Sequence, residues 1–275
     1  VEQPTYMGAL QAFVPFEPEF VSVACDDDGP LPDGLNAAAN ARFLYLLPNF
    51  QNPSGRCLSE ERRMAIAARA EQIGLPILED NPYGELWFDR PPPASMASRW
   101  PEGTLYLGSF SKVLAPGLRL GYVVSPNKAV GEKLLQAKQA ADLHTGGFNQ
   151  RLVYEVIRSG FLTQHVPTIR ARYAAHRDAM QAALVRHMPP GCHWTVPMGG
   201  MFFWIQLPAG VESMELLELA LERGVAFIPG APFYANRVEA NTLRLSFVTV
   251  SPAQIDKGVA ALAEALKETL AVAVA

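Results

Sequence analysis

Lys112 lies in a short polar segment, Ser109-Phe110-Ser111-Lys112, that directly follows an apolar run. Arg119 follows seven residues later, at the start of the next apolar run. Apolar surroundings disfavour the charged ammonium group and favour the neutral, nucleophilic amine. Hydroxyl groups and a guanidinium are groups that bind phosphate. The segment therefore combines an amine that can attack a carbonyl carbon with a candidate phosphate site.

Three further polar residues lie where other apolar runs end. Asn52 follows the second run, and Asp80 ends the third, with Tyr83 three residues later. In open α/β sheets, ligands and catalytic groups gather at the carboxyl ends of the strands. We therefore expect Asn52, Asp80 and Lys112 to converge on one crevice.

This set of residue types suits pyridoxal phosphate. A lysine amine forms a Schiff base with the cofactor aldehyde, and a carboxylate pairs with the protonated pyridine nitrogen, which keeps the ring an electron sink. An amide and a phenol can hydrogen-bond the phenolate oxygen of the ring. A second arginine, Arg244 in a predicted C-terminal strand, can bind a substrate carboxylate through two hydrogen bonds.

Taken singly, these residues have plainer explanations. Lys112 could be a surface lysine with a buried stem. Asn52 and Asp80 precede prolines and are turn formers by default. Arg244 alternates with leucines, as a solvent-facing strand residue would. The loop residue His144 is assigned no role.

The elements that must position these residues alternate between strands and helices. A helix is predicted over 59–74, with Ser59 as its N-cap and Gly74 as its C-cap, and it makes a βαβ unit with the runs on either side. The apolar runs are continuous rather than alternating, as in strands covered on both faces. The predicted strands are 20–25, 42–48, 75–80, 104–109 and 119–125.

The rest of the chain predicts a second, smaller α+β domain. Residues 127–188 are helical in pattern, with breaks at 144–149, Gly160 and Pro167. Two strands about a Gly199-Gly200 turn then follow. The later predicted elements are a helix at 213–224, a strand at 241–250 and a helix at 251–270. We predict a large domain over 1–165 and a small one over 166–275.

Composition limits the possible partners. The chain has 275 residues and a net charge of −4, which argues against a nucleic-acid backbone as the main partner. Its three cysteines are scattered, so neither a metal site nor a disulfide framework is expected, and a reducing cytoplasm is indicated. No apolar run reaches the roughly 18 residues of a membrane span.

Several motifs together resemble fold-type I, class I/II pyridoxal-phosphate-dependent aminotransferases, and within them the 2-aminoadipate and kynurenine aminotransferase-like branch. The resemblance spans nearly the whole chain in the order of the family. It implies an α/β fold with a mostly parallel large-domain sheet between helices, plus a small α+β domain. The matching motifs are YLLPNFQNPSGR, EDNPYGEL, YLGSFSKVLAPGLRLGY, AKQAADLHT, GGMFFWIQLP, VAFIPGAPFY and NTLRLSF.

The resemblance implies a role for each candidate residue. Lys112 is the Schiff-base lysine and the proton shuttle between the substrate α-carbon and cofactor C4′. Asp80 pairs with the pyridinium nitrogen and Tyr6 stacks on the ring. Arg244 and Asn52 bind the substrate. The remaining cofactor contacts are Asn52 and Tyr83 at O3′, and Ser109, Ser111 and Arg119 at the phosphate.

The implied reaction is a ping-pong transamination between an α-amino acid, 2-aminoadipate or a broader set, and a 2-oxo acid such as 2-oxoglutarate. A homodimer without nucleic-acid, metal or membrane partners is expected. Members of the family carry roughly another hundred residues before the point where this sequence starts, including a phosphate-binding loop. An isolated 275-residue chain is therefore expected to bind the cofactor poorly.

Two other functions fit the same motifs. One is the effector domain of a MocR-type transcription regulator, in which the cofactor is a ligand. The other is a pyridoxal-phosphate-dependent lyase or decarboxylase on the same fold. The asparagine of the QNPSG motif and the acidic composition favour the enzyme over the regulator.

Overall fold

A computed structural model describes residues 1–274, and these residues divide into two compact units. Unit 1 comprises residues 1–2, 23–49 and 56–170. Unit 2 comprises residues 3–22, 50–55 and the described residues from Ala171 onward. The division predicted at 1–165 and 166–275 stays a prediction about the domains of the whole protein.

Residues 1–274 form ten β-strands and eight α-helices. The strands are β1 (Cys25–Asp26), β2 (Gly29–Pro30), β3 (Leu44–Leu46), β4 (Ile77–Asp80), β5 (Thr104–Ser109), β6 (Gly121–Val124), β7 (His193–Trp194), β8 (Phe202–Gln206), β9 (Ile228–Pro229) and β10 (Thr242–Ser246). The helices are α1 (Met7–Phe13), α2 (Glu60–Ile73), α3 (Met96–Arg99), α4 (Lys128–Asp142), α5 (Gly147–Ile157), α6 (Phe161–His187), α7 (Ser213–Glu222) and α8 (Pro252–Val274). None of these helices is long and apolar enough to cross a bilayer.

Unit 1 contains a four-stranded sheet in the order β3-β4-β5-β6. Strands β3, β4 and β5 are parallel, and β6 runs antiparallel to β5. Helix α2 connects β3 to β4, which confirms the predicted βαβ unit. The carboxyl ends of β4 and β5 therefore lie at the same edge of this sheet as the first residue of β6.

The ends of α2 follow from its own sequence. The Ser59 side chain accepts a hydrogen bond from the Arg62 amide at 3.2 Å, and Gly74 adopts a left-handed φ of 66° at the other end. Only glycine reaches that backbone region at no steric cost. The predicted N-cap and C-cap are both confirmed.

Three predicted features differ from the structure. Of the strand predicted at 20–25, only Cys25 lies in a strand, and Val23 forms an isolated bridge with Glu2. Strand β6 is exposed along its length in the described part of the chain, whereas cover on both faces was expected. Pro167 lies inside α6 without breaking it, because burial of side chains such as Leu184 outweighs the roughly 3 kcal/mol that an internal proline costs.

Unit 2 is built on an antiparallel sheet in the order β7-β8-β10-β9. Leu243 and Leu245 of β10 pair with Ile205 and Phe203 of β8, and all four side chains are buried. Helices α7 and α8 pack against each other in the same unit. The alternation along β10 leaves Arg244 on the opposite face from these leucines.

A buried guanidinium supports unit 1. The Arg63 side chain of α2 is fully buried and donates to four oxygens: Leu58 O at 3.1 Å, Pro48 O at 3.0 Å, Asn49 Oδ1 at 2.6 Å and Ala94 O at 3.3 Å. Desolvation lowers the pKa of Arg63, and its hydrogen bonds compensate for the lost water. This one side chain therefore ties two connections, that between β3 and α2 and that between β4 and α3, to α2.

We expect Arg63→Met to destabilise the protein strongly, because it leaves several buried oxygens without donors. The expected loss is on the order of 3–5 kcal/mol in the free energy of unfolding. Urea denaturation of the whole protein measures it. Arg90→Met is the matched control, since Arg90 is exposed, and its effect should stay within about 0.5 kcal/mol. Equal effects of the two substitutions would contradict this account of Arg63.

Candidate active site

The nine predicted site residues fall into both units. Unit 1 holds six of them: Asp80, Tyr83, Ser109, Ser111, Lys112 and Arg119. Unit 2 holds Tyr6, Asn52 and Arg244. Each group is described within its own unit.

The sheet topology of unit 1 gathers its six residues at one edge. Asp80 is the last residue of β4 and Ser109 the last residue of β5. The turn that follows β5 carries Ser111 and Lys112, and Arg119 precedes the first residue of β6 by two positions. Since Ser109 pairs with Gly121, both ends of the connection between β5 and β6 lie at this edge. The edge therefore carries a carboxylate, two hydroxyls, an amine and a guanidinium.

Asp80 is held by a residue that the sequence patterns did not single out. The Tyr45 hydroxyl donates to Asp80 Oδ2 at 2.5 Å, and the Tyr45 side chain is buried. Burial raises the pKa of Asp80, and the hydrogen bond from Tyr45 opposes that rise. Within residues 1–274 this is the only hydrogen bond to the carboxylate.

Lys112 lies half-buried in a compact turn. The Ser111 amide donates to Ser109 Oγ at 3.1 Å, and the Leu114 amide donates to the carbonyl of Phe110 at 2.9 Å. The turn fixes the backbone on both sides of the lysine and keeps the two serine side chains beside it.

Arg119 and Tyr83 are the other predicted site residues of unit 1, and they differ in solvent exposure. Arg119 is exposed, has a left-handed φ of 50°, and donates from Nη1 to the carbonyl of Pro116 at 3.1 Å. Tyr83 is buried after β4, where its carbonyl accepts from the Leu86 amide at 2.7 Å. Their predicted contacts with phosphate and with O3′ stay predictions.

A hydrogen-bonded chain of side chains links the loops beside this edge. Arg63 Nη2 donates to Asn49 Oδ1 at 2.6 Å, Asn49 Nδ2 donates to Asn81 Oδ1 at 2.9 Å, and Asn81 Nδ2 donates to the Tyr106 hydroxyl at 2.9 Å. Burial raises the pKa of Tyr106 to about 12, with Tyr122 adding to the rise. Asn81 directly follows Asp80, so the chain fixes the backbone that carries the carboxylate.

This hydrogen-bonded chain of side chains was not predicted from the sequence. The sequence does hold a signal for it, because Asn49 and Asn81 are amides within otherwise apolar or turn segments. Asn49 and Asn81, however, are 32 residues apart, and Asn49 and Arg63 are 14 apart, and no periodic pattern reveals such pairs. Only the parallel pairing of β3 with β4 brings them together.

A cavity of about 490 Å³ opens beside the same edge within unit 1. Its polar groups include the Asn81 amide, the Tyr106 and Ser109 hydroxyls and the Arg170 guanidinium. Tyr122 forms another part of its wall, and its ring lies over Gly108, where a Cβ would lie 2.1 Å from Tyr122 Cζ unless the ring moved. The volume lies in the range of small-molecule sites.

In unit 2, Asn52 and Arg244 are in direct contact. Arg244 Nη1 donates to Asn52 Oδ1 at 2.7 Å. The guanidinium carbon lies 4.0 Å from the centroid of the Phe202 ring and 5.2 Å from that of Phe233. Cation–π contacts of this kind hold a guanidinium in a fixed plane. Arg244 is therefore oriented by an amide and two aromatic rings.

The loop that carries Asn52 is itself fixed within unit 2. Gln51 Nε2 donates to the carbonyl of Pro4 at 2.7 Å, and Gln51 Oε1 accepts from the Ser54 amide at 2.7 Å. Gly200, with a φ of 75°, allows a close approach, because a Cβ there would lie 2.7 Å from Phe50 Cβ. The buried amide of Asn52 thus has little freedom.

Tyr6 caps the beginning of α1, where its carbonyl accepts from the Ala9 amide at 3.0 Å. Its ring lies against Gly8 and is 36% exposed. The ring therefore has a face open to a ligand, and its stacking on a cofactor stays a prediction.

Comparison with known proteins gives consistent matches over the whole chain. Residues 13–262 match the family described as aminotransferase class I and II. The aromatic-amino-acid aminotransferase 1 of Thermococcus litoralis is 42% identical over 279 residues, covering 98% of this chain and 67% of that protein. The 2-aminoadipate transaminase of Thermus thermophilus is 43% identical over 278 residues, covering 98% of this chain and 70% of that protein.

Solved structures agree. The crystal structure of LysN, the alpha-aminoadipate aminotransferase of Thermus thermophilus complexed with N-(5′-phosphopyridoxyl)-L-leucine, matches with a TM-score of 0.93 and 43% identity. The match covers 98% of this chain and 71% of that one. The fold is thus that of the fold-type I aminotransferases, as predicted.

A second group of relatives has regulators among its members. The uncharacterized HTH-type transcriptional regulator YdfD of Bacillus subtilis is 34% identical over 272 residues. That match covers 98% of this chain but 56% of the regulator. The family match and the more similar enzymes outweigh it, and we conclude that this chain belongs to the class I and II aminotransferase family.

Proposed function

We propose that the protein transfers the α-amino group of 2-aminoadipate, or of a broader set of α-amino acids, to a 2-oxo acid such as 2-oxoglutarate. The observation that carries the proposal is the position of Lys112, half-buried in the turn after β5, at the sheet edge that Asp80 and Ser109 share. The name of the Thermus thermophilus relative supports 2-aminoadipate as the donor.

Pyridoxal 5′-phosphate is the cofactor of this enzyme family, and the donor set of the chain fits it. Asp80 is a desolvated carboxylate with Oδ2 already bonded to Tyr45, so Oδ1 can accept from a protonated ring nitrogen. Ser109 and Ser111 lie together next to Lys112, as a phosphate attached to the same ring requires. When bound, the cofactor supplies an aldehyde and an electron-withdrawing ring that stabilises negative charge on the substrate α-carbon.

The residues of unit 1 then have distinct tasks. Lys112 Nζ would hold the cofactor covalently and, when the substrate amine takes its place, would move the proton between the substrate α-carbon and C4′. Asp80 would keep the ring nitrogen protonated. Tyr83 would orient O3′. The proposed phosphate ligands are Ser109, Ser111 and Arg119.

The residues of unit 2 suit recognition of the substrate. A guanidinium binds a carboxylate through two parallel hydrogen bonds, and the Phe202 and Phe233 rings orient that of Arg244 in advance. Asn52, bonded to Arg244, presents an amide for the substrate or for O3′. Tyr6 offers a partly exposed ring for stacking.

Covalent attachment at Lys112 is the first test. We expect borohydride reduction of the protein with bound cofactor, followed by peptide mass spectrometry, to find a phosphopyridoxyl group on Lys112. Lys112→Ala should abolish the label, because no other amine has this position. Lys128→Ala is the control, since the Lys128 side chain is 90% exposed on α4, and it should leave the label in place. A label on a different lysine would overturn the assignment.

Recognition of the α-carboxylate gives a second test. We expect Arg244→Gln to raise the KM for the amino acid roughly 30-fold or more, which corresponds to about 2 kcal/mol for a lost charge pair. The slow reaction of the corresponding amine, which has no carboxylate, should not change. Arg186→Gln, on an exposed part of α6, is the control. An unchanged KM in Arg244→Gln would remove this residue from the substrate site.

Product analysis separates transfer from lysis. Incubation of the protein with 2-aminoadipate and 2-oxoglutarate should give 2-oxoadipate and glutamate in equal amounts, because the amino group is passed on rather than released. Lys112→Ala should give neither product. Release of ammonia in place of glutamate would support the lyase alternative instead.

The relationship to YdfD supports one alternative, a regulator domain that binds the cofactor as a ligand. A winged-helix segment encoded upstream of this sequence, together with specific DNA binding, would favour it. The net charge of −4 gives no support for contact with a DNA backbone.

We further propose a cytoplasmic homodimer. Within residues 1–274, Cys25, Cys57 and Cys192 are thiols rather than disulfides, which suits a reducing compartment. The exposed apolar residues Tyr122, Val123 and Val124 of β6 support burial of this strand in a larger assembly. Light scattering of the whole protein distinguishes a dimer from a monomer.

A further inference from the structure

Tyr45 has no role in the reaction as described so far, yet it is the residue that contacts Asp80. It lies on β3, where it pairs in register with Leu78, two residues before Asp80 on the parallel neighbour β4. Its side chain is 2% exposed, and its hydroxyl donates to Asp80 Oδ2 at 2.5 Å. A buried phenol must place its hydroxyl on an acceptor, and here the acceptor is a carboxylate.

We propose that Tyr45 is a positioning residue for the cofactor: its hydroxyl holds Asp80 ionised and turned so that Oδ1 meets the ring nitrogen. This inference rests on the role proposed above for Asp80. It assigns a task to a residue of β3 that touches neither the substrate nor the reacting atoms.

The geometry supports an ionised acceptor. Hydrogen bonds from a hydroxyl to a carboxylate are short, about 2.5–2.7 Å, and stronger than those between neutral groups. The distance from Tyr45 to Asp80 lies in that range. A carboxylate has two oxygens, and the single hydrogen bond found within residues 1–274 occupies one of them. The hydroxyl therefore restrains one oxygen of the carboxylate and leaves the other available to a ligand.

The electrostatic balance at Asp80 depends on this one hydrogen bond. Burial disfavours the charged carboxylate and raises its pKa, while the Tyr45 hydroxyl favours the charged form. Glu79 points to the opposite face, where its Oε2 accepts from the Ala97 amide at 2.9 Å. The titratable residues on the elements around Asp80 are Tyr45 on β3, Glu79 on β4, Tyr83 after β4, Tyr106 on β5 and Lys112 after β5. Of these, Tyr45 alone is hydrogen-bonded to the Asp80 carboxylate in the described part of the chain.

The cofactor affinity is expected to depend on pH in one direction. A protonated ring nitrogen needs an ionised partner, so the cofactor affinity is lost as the pH falls through the pKa of Asp80. Removing the Tyr45 hydroxyl leaves the desolvation of Asp80 unopposed and raises that pKa further. The loss of affinity must therefore begin at a higher pH.

The test is the cofactor dissociation constant of the whole protein as a function of pH, measured by absorbance titration with pyridoxal 5′-phosphate. We expect Tyr45→Phe to bind roughly tenfold more weakly or worse at neutral pH, as expected for a lost hydrogen bond to a charged group. We also expect the midpoint of the acid loss of affinity to move to higher pH. A purely structural role for Tyr45 would weaken binding without moving the midpoint.

Tyr234→Phe is the matched control. It removes the hydroxyl of another buried tyrosine that donates to a carboxylate, but that carboxylate is Glu239, at 3.2 Å, rather than Asp80. Its midpoint should equal that of the wild type, and an equal shift in both variants would contradict the inference. Should Tyr45→Phe fail to fold, 3-fluorotyrosine at position 45 is a stronger donor and should move the midpoint to lower pH.

Asp80→Asn separates this inference from the proposed function. Loss of affinity in Asp80→Asn together with wild-type behaviour of Tyr45→Phe would show that Asp80 acts without Tyr45, and the inference would be wrong while the function stands. Unchanged affinity in Asp80→Asn would remove Asp80 from the site, and the inference with it. Absence of a label at Lys112 in the wild type would instead refute the proposed function.

Discussion

The parallel pairing of β4 with β5 determines where the chemistry of unit 1 can take place. Asp80 pairs with Leu107, so the carboxylate at the end of β4 lies beside β5 just before Ser109 and the turn that carries Lys112. Side chains alternate between the two faces of a strand, and a slip of one residue would exchange the faces of Asp80 and its neighbour. The register is held by buried side chains such as Ile77, and the rest of the site depends on it.

Glu79 and Asp80 show how the face of a strand decides the task of a carboxylate. Burial raises the pKa of both residues, so each buried carboxylate needs hydrogen bonds that offset its lost hydration at neutral pH. Glu79 receives one from the Ala97 amide in the first turn of α3, which makes it part of the support of the sheet. Asp80 receives one from Tyr45 and has its other oxygen available at the sheet edge. Two adjacent acids therefore differ because their partners differ.

The same contrast explains which features the sequence predicts. Local chemistry predicts well: Ser59 and Gly74 determine the ends of α2, and the apolar run at 104–109 is the strand β5 with the same bounds. The run at 20–25 fails as a strand because an apolar run forms one only where a neighbouring strand pairs with it, and here only Val23 and Cys25 find partners. Whether a strand is covered, as with β6, depends on packing that the run itself does not encode.

The candidate site also contains residues that the sequence predicts and residues that it does not. Lys112, Asp80 and Asn52 could be proposed because each is a polar residue at or within four residues of the end of an apolar run, which is a local signal. Tyr45 could not, because it lies inside the apolar run that forms β3 and its partner is 35 residues away. A tyrosine in such a run predicts packing, and only the neighbouring strand turns it into a hydrogen-bond donor to a carboxylate. The candidate site residues can therefore be proposed from the sequence, whereas contacts such as that of Tyr45 with Asp80 require the fold.

In unit 2, Arg244 is also a charged side chain that its neighbours orient. A long cationic side chain ordinarily loses much conformational freedom when it binds an anion. Here the Phe202 ring fixes the plane of the guanidinium and Asn52 fixes Nη1, before any substrate is present. The guanidinium of Arg244 is thus oriented by its neighbours, and in unit 1 the Asp80 carboxylate is likewise hydrogen-bonded to Tyr45. In both units, a charged side chain is oriented by a neighbouring side chain. A substitution of that neighbour keeps the charged group in the protein but changes its orientation.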